Sequence, residues 1–366
     1  NKIVFLSAEA SAAAKPDFFV VDATDGLNPV ILSSINTGPG LNAVDAARDL
    51  ATGKIYAYAA NNGMSQQLQI IDADATNNFA SPALIGSANL EPAPLGTNSE
   101  GKSIFYYDNK IYIGTNYLPT ISPNPPRPEF HIFDVSDPTL PAGSELGSYD
   151  VQHNINNIIV RDTYAYLATS DDNGEVWILD ISNPASPIFV NKFNATGSED
   201  GESIYLVGNK LYLGRDQAPS SRPDFYILDV TNPASIGILG STNLSMSPST
   251  AKVNGIRVSG RFAFLATGDS NQEFQVLNIS NPASIPLPIS TFNFPQEATG
   301  VDFENSLIYS SVRSNDALRI IRPAQCADKL DNDSDGKVDQ ADPQCHSDGN
   351  ASNSLSYNPE DDDETN

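Results

Sequence analysis

The chain has 366 residues, with 45 acidic side chains against 20 basic ones and a formal net charge of −25. Such a surface repels phosphate backbones and anionic lipid, which excludes nucleic acid as a partner, and no apolar stretch approaches the ~18 residues that insert into a bilayer. Apolar residues make up 40% of the chain, enough for a sizeable core, so it is not a disordered polymer.

The opening residues, NKIVFLSAEA, carry no basic segment followed by an apolar one and no initiator Met, which reads as a processed product or a fragment. A β-rich run ending in Asp and passing into a turn then keeps returning. It reads FFVVDATDGLNP at 18–29, LQIIDADATNNFASP at 68–82, FHIFDVSDP at 130–138, VWILDISNPASP at 176–187, FYILDVTNPAS at 225–235 and FQVLNISNPAS at 274–284. A further run, LRIIRP at 318–323, lacks the Asp. An aromatic-alternating strand precedes each run from the second onward, among them KIYAYAA, KIYIGT, TYAYLAT, KLYLGR and RFAFLAT, and a third strand such as VILSSI or IGILGS follows the first six. SIFYY, NIIV, SIYLV, GIRV and GVDF supply one more strand in units three to seven.

Short strands rich in Val, Ile, Tyr and Phe between Asn, Asp, Pro and Gly turns predict a four-stranded meander per unit. The period is roughly 45–60 residues, and one such unit buries its faces only against its neighbours in an array. The repeats resemble those of the LVIVD-repeat β-propellers, whose repeat reads close to "YaYla…f.vlDvsnPasP". The resemblance extends over about residues 1–323. It implies an all-β, seven-bladed β-propeller.

Units one, three and five share a long loop ending in a basic residue, Pro, an acidic residue and Phe: Lys15 to Phe18, Arg127 to Phe130 and Arg222 to Phe225. NKIVFLS aligns with NKIYIGT and NKLYLGR, so residue 1 falls inside the first blade, and the last blade has no recognisable fourth strand before Cys326. First and last blades are therefore expected to be incomplete in this chain. One segment of about 15–25 residues would supply both missing strands; it is either removed, left out or replaced by a strand of another molecule, since unpaired edges invite strand addition.

After residue 323 the composition changes, which divides the chain into a propeller at 1–323 and an acidic extension at 324–366. The segment DNDSDGKVDQAD at 331–342 resembles an EF-hand-like or thrombospondin type 3-like calcium loop, with Asp331, Asp333, Asp335, Asp339 and Asp342 spaced as oxygen ligands around Gly336. Lys337 would offer its carbonyl, Asp339 would act through water, and Asp stands where the closing Glu is usual. Ca2+ is the expected cofactor, at roughly 10⁻⁴–10⁻³ M affinity. Cys326 and Cys345 are the chain's two cysteines and flank this loop, which predicts a disulfide clamp and an exported, extracellular or cell-surface protein.

Catalytic signals are thin. His131, His153 and His346 are scattered, and no nucleophile elbow, zinc-helix or phosphate-loop motif occurs. His131 stands where other repeats have Tyr226 and Gln275, and Trp177 sits inside a blade strand; both are expected to be structural. Asn156, Glu202 and Asn254 occupy comparable positions on the innermost strands, facing either a polar channel or an axial ion. The long loops carrying Tyr117, Arg127 and Arg222 are candidates for recognition. The leading expectation is a non-enzymatic, calcium-binding structural or adhesive surface protein, self-associating or contacting other surface proteins and glycans, with a filament subunit as its sharpest form. A monomeric secreted propeller binding glycan or peptide through these loops is the alternative. An axial-metal, lactonase-like hydrolase is the third reading.

Overall fold

The computed structural model describes all residues except 1, 10–14, 64, 91–98, 120–126, 140–143, 217–221, 245, 247–250, 305, 323–325, 327–335 and 359–366. Its strands form seven antiparallel sheets, and these are the seven blades of a β-propeller. Blades two to six are four-stranded. Blade one has three strands (Ile3–Ser7, Phe18–Asp22, Val30–Ile35), as does blade seven (Ala298–Glu304, Leu307–Val312, Leu318–Ile321). The expected fold is present, and among the described residues the first and last blades have three strands each.

The repeat signature has a local physical cause. The Asp that ends the third strand accepts the backbone N–H two residues on, closing an Asx turn that starts the connection to the fourth strand. Asp72 takes Asp74, Asp134 takes Ser136, Asp180 takes Ser182 and Asp229 takes Thr231, at 2.8–3.0 Å. In blade six Asn278 does the same for Ser280 at 3.0 Å, so its replacement of the repeat Asp leaves the turn intact. The Pro of the following turn clasps the preceding blade. A Cβ on Gly147 of blade three would stand 2.3 Å from the Pro184 carbonyl of blade four, and one on Gly240 of blade five 1.6 Å from that of Pro282 of blade six.

A second repeated latch explains the buried acids ahead of each third strand. Asp17, Glu129, Glu175, Asp224 and Glu273 accept the backbone N–H of Thr37, Val151, Ala195, Leu244 and Phe294, each in the loop after its own blade's outermost strand. Gln67 does so for Leu90. The acidic member of the shared Pro-acidic-Phe motif is therefore a structural part of the blade.

The core lies between blades. The second-strand Tyr166 and third-strand Ile178 of blade four pack on Leu211, Leu213 and Tyr226 of blade five, and equivalent clusters join the other neighbouring pairs from blade one to blade six. These alternating aliphatic and aromatic positions are the ones the sequence periodicity marks.

By internal contacts the chain divides into Asn1–Val301 with Ser311–Ala317, and Asp302–Ser310 with Leu318–Asn366. Within the second unit Cys326 and Cys345 are joined as expected. Two short 3-10 turns, Asp339–Ala341 and Pro343–Cys345, follow Gly336, whose φ of +89° is the left-handed geometry a tight turn asks of glycine. His346 is buried there between the Gln340 carbonyl and the Ser356 hydroxyl, and the Tyr357 hydroxyl donates to the Cys326 carbonyl. No helix among the described residues is long and apolar enough to cross a membrane.

Candidate functional site

The inner strands of blades two to six each carry an irregularity at their second residue: Asn42, Lys102, Asn156, Glu202 and Asn254. A bulge adds one residue, interrupts the ladder and re-aims the side chain, here on the strands nearest the propeller axis. In the even-numbered blades the re-aimed Asn is spent on structure. Asn42, Asn156 and Asn254 donate to the first inner-strand carbonyl of the next blade, Gly101, Gly201 and Ala298, at 2.7–2.8 Å. In blades three and five the serine one residue further on makes that bond instead: Ser103 to the Ile155 carbonyl and Ser203 to the Val253 carbonyl, at 2.8 and 2.5 Å. Lys102 and Glu202 are thereby released from the latch.

This separates the three residues proposed to converge on an axial ion. Asn156 and Asn254 are inter-blade pins, while Glu202 gathers a different set. Asp200 lies two residues before it, and Asp216, at the end of the neighbouring strand, donates its backbone N–H to the Asp200 carbonyl at 3.1 Å. Asp200, Glu202 and Asp216 each bring a carboxylate oxygen within 4.8 Å of the others. Lys252 of blade six reaches over from the next inner strand, with Nζ 2.6 Å from Glu202 Oε1 and 3.3 Å from Asp216 Oδ1.

Burial dominates the electrostatics of this group. It pushes the Glu202 carboxyl up to about 7, aided by the Asp216 charge and opposed by Lys252. Burial also raises Asp216 and Asp200, and the neighbouring carboxylates hold the Lys252 ammonium above its ordinary value despite its burial. Glu297 accepts from Asn254 at 2.8 Å and pairs with Arg313 at 3.4 Å. A carboxylate that titrates near neutrality beside a fixed ammonium can take up and release protons at physiological pH. Three convergent carboxylates can also hold a divalent cation, and nothing in the donor set selects Ca2+ over another hard ion.

The long-loop residues take up separate positions. Tyr117 is partly exposed, its N–H bonded to the Asn154 side chain at 2.8 Å and its ring 6.4 Å from that of His153. His153 lies 3.6 Å from Asp171, which also holds the Trp177 indole N–H at 3.0 Å and Lys192 at 2.7 Å, so Trp177 is tied into blade four. Arg222 pairs with Glu199 at 3.1 Å, and Arg127 is half-buried beside Pro128. The stretches 120–126 and 217–221 of those loops lie outside the described residues. His131 is buried between Glu145 and the Pro128 carbonyl, the structural role expected of it.

Of the expected calcium ligands, Asp331, Asp333 and Asp335 lie outside the described residues. Lys337 is exposed, Asp339 opens the first 3-10 turn, and buried Asp342 caps the second by accepting the Gln344 N–H at 2.8 Å.

The LVIVD repeat family model matches residues 154–195 and 251–291, which are blades four and six with their leading residues. No curated protein matches the chain. Among solved structures it is similar to a candidate 6-phosphogluconolactonase from Bacteroides uniformis, with a TM-score of 0.67 and 8% identity over 91% of this chain and 95% of that one. A candidate 6-phosphogluconolactonase from Bacteroides fragilis gives 0.65 and 10% over 92% and 94%. The periplasmic gluconolactonase of Pseudomonas aeruginosa gives 0.63 and 12% over 88% and 91%.

These likenesses establish the fold, and they correct the expectation of a non-enzymatic protein. The same architecture, matched over nearly the whole of both chains, carries the name of a hydrolase in each. The catalytic motifs sought in the sequence are contiguous runs, whereas Asp200, Asp216 and Lys252 meet Glu202 only when two blades assemble. The chain is a seven-bladed β-propeller with LVIVD repeats in blades four and six.

Proposed function

We propose that the protein is an exported hydrolase of lactone or related ester bonds, with its reaction centre at Glu202 and Lys252. The observation that carries this reading is the 2.6 Å contact between a carboxyl raised to about 7 and an ammonium held on the adjacent inner strand. As a carboxylate, Glu202 takes a proton from water as the oxygen attacks the lactone carbonyl. The positive charge of Lys252 stabilises the oxyanion that forms, and the ring C–O bond then breaks with return of the proton to the leaving oxygen. The gluconolactonase likeness suggests the substrate class, and the disulfide supports export.

The test is hydrolysis of glucono-δ-lactone and simple γ- and δ-lactones, with wild type and Glu202→Gln. Wild-type turnover should rise with pH through about 7, as Glu202 deprotonates, and Glu202→Gln should lose on the order of 10²-fold or more. Chelator followed by added Mg2+, Mn2+ or Ca2+ distinguishes proton transfer alone from a metal held by Asp200, Glu202 and Asp216. Absence of turnover on every lactone, or full activity in Glu202→Gln, overturns the reading.

The C-terminal extension supports a separate, structural Ca2+ site at 331–342, for which the left-handed Gly336 and the Cys326–Cys345 bridge speak. Its test is a rise in melting temperature with millimolar Ca2+ that Asp331→Asn abolishes.

A further inference from the structure

Blade one is open along its inner side. Its Ile3–Ser7 strand pairs with Phe18–Asp22 and with no other strand among the described residues. Ala23 donates to the Lys2 carbonyl and Ala8 to the Asp17 carbonyl, at 2.8 Å each. An antiparallel ladder bonds alternate residues to the same neighbour, so the N–H and carbonyl groups of Ile3, Phe5 and Ser7 face the free edge. The strand itself is firmly seated: Ile3 and Phe5 pack into the core between blades one and two, with the Phe5 ring 5.6 Å from that of Phe18. Yet all five of its residues are partly exposed. Ile113, Leu167, Leu213 and Leu265 hold the register of Leu6 in blades three to six, and there, beside an inner strand, they are fully buried.

The row of inter-blade pins breaks at the same blade. Blades two to six each send an Asn or Ser side chain to the first inner-strand carbonyl of the next blade. In blade seven Thr299 holds the register of Asn254, since Arg313 bonds the Glu297 carbonyl as Gly268 bonds that of Lys252. Its hydroxyl lies instead 2.9 Å from the Ser311 hydroxyl of its own blade. In blade two, Leu41 pairs with Asn61 as Gly101 pairs with Thr115, and no described side chain donates to the Leu41 carbonyl. A backbone edge, the apolar side chains of Val4 and Leu6, and a pin position on either side are thus left for a strand that the described residues do not supply.

We propose that the Ile3–Ser7 edge is a docking site for an extended segment of a partner polypeptide, which lies antiparallel to it as the fourth strand of blade one. Unpaired strand edges take up such segments through main-chain bonds, and side chains at alternate positions set the choice. The inner strands of the sibling blades define the partner's chemistry. Ile158, Ile204 and Ile256 stand opposite the residues in the place of Leu6, and Val160, Leu206 and Val258 opposite those in the place of Val4. The segment therefore carries aliphatic side chains two residues apart, preceded by an Asn or Ser that reaches the Leu41 carbonyl. The chain's net charge of −25 favours a neutral or basic segment. The edge lies on the inner side of its blade, where a lone strand fits and a second folded copy does not. The site is independent of the lactone-hydrolysing reading, since it shares no residue with the Glu202 group.

The experiment is a titration of the full chain with the synthetic peptide HNINNIIVRDT, the sequence of residues 153–163 that forms the inner strand of blade four. It should bind saturably and protect the Ile3, Phe5 and Ser7 amides from hydrogen exchange. In blade four Ile159 pairs with Tyr166, which stands in the place of Phe5. N-methylation of the peptide at Ile159 should therefore weaken binding roughly tenfold or more, the worth of one hydrogen bond lost from the ladder. N-methylation at Val160, whose N–H faces away from the edge, should leave binding within about twofold. Ser7→Cys should form a disulfide with the peptide carrying Asn157→Cys and none with the peptide carrying Val160→Cys, because Asn157 pairs with Ala168, the residue in the place of Ser7. Glu202→Gln should bind the peptide as wild type does, which separates this edge from the other site. No saturation, equal binding of the two N-methylated peptides, or protection of the three amides before peptide is added overturns the proposal. So does a chain that sediments as a dimer and is split by the peptide, which would make a second copy the occupant.

Discussion

Arg215 and Glu175 lie fully buried on adjacent blades, with Arg215 Nη2 2.9 Å from Glu175 Oε1. Blades three, four and six end the same strand with Thr115, Thr169 and Thr267, so the arginine is particular to blade five. It also bonds Glu199 at 2.9 Å and the Pro223 carbonyl at 3.2 Å. Burial raises the Glu175 carboxyl even so, with the Ala195 N–H and Arg215 opposing the shift.

Removing one partner of such a pair strands the other charge in a place without water. Arg215→Thr, the residue of the sibling blades, should therefore lose about 3–5 kcal/mol in urea unfolding. Adding Glu175→Gln, which keeps an acceptor for the Ala195 N–H, should recover part of the loss. Equal stability of the single and double variants would mean that the stranded carboxylate is not the source of the cost.

The two latches across the inner strands predict a difference between neighbours one residue apart. Ser203→Ala removes a buried hydroxyl that donates to the Val253 carbonyl, and should cost about 1–2 kcal/mol. Glu202→Gln changes the bulge residue that makes no such bond, and should leave the melting temperature within about 1–2 °C while altering activity. Asn156→Ala should behave like Ser203→Ala, because in blade four the bulge residue is itself the latch. Thermal unfolding of the three variants decides the assignment.

Within one outer strand, Gly237–Thr242, two glycines meet different surroundings. A Cβ at Gly240 would strike the Pro282 carbonyl of the next blade, while one at Gly237 would meet its nearest atom at 3.6 Å, in ordinary contact. Gly240→Ala should destabilise by about 1–3 kcal/mol, as overpacking does, and Gly237→Ala should be close to neutral or better. The pair measures how tightly the Asn-Pro-Ala-Ser turn clasps its neighbour, with Gly237→Ala as the control for changes in the unfolded chain.

The blades were legible because their causes are local and repeated: alternating apolar strands, an Asx-turn acid and a proline turn, each within a dozen residues. Glu202 was legible by register alone, and register also pointed to Asn156 and Asn254, whose side chains are committed to the next blade. The decisive difference is whether a serine follows at the third position, as Ser203 does, and that matters only once a neighbouring carbonyl is in place. Asp200, Asp216 and Lys252 lie up to 52 positions apart in the numbering and carry no spacing signal. Arg215 was hidden for the same reason, since its carboxylates come from 16 and 40 positions upstream.

Glu129 gives the clearest dependence on pH. It is buried and accepts the N–H groups of Val151 and Gln152 at 2.9 and 2.8 Å, yet burial pushes its carboxyl from 4.5 up to about 7. A folded-state value above the unfolded one means that the fold binds the proton more tightly. Its contribution is fully present below about 4.5 and is lost as pH rises through about 7. Glu129→Gln keeps the acceptor oxygen and removes the charge. It should be about as stable as wild type near pH 5 and more stable near pH 8, by up to about 3 kcal/mol at ~1.4 kcal/mol per pKa unit. Urea unfolding of both proteins across that range checks the sign; a variant that loses stability only above neutrality would require the ionised carboxylate to be the form the loop at Val151 needs.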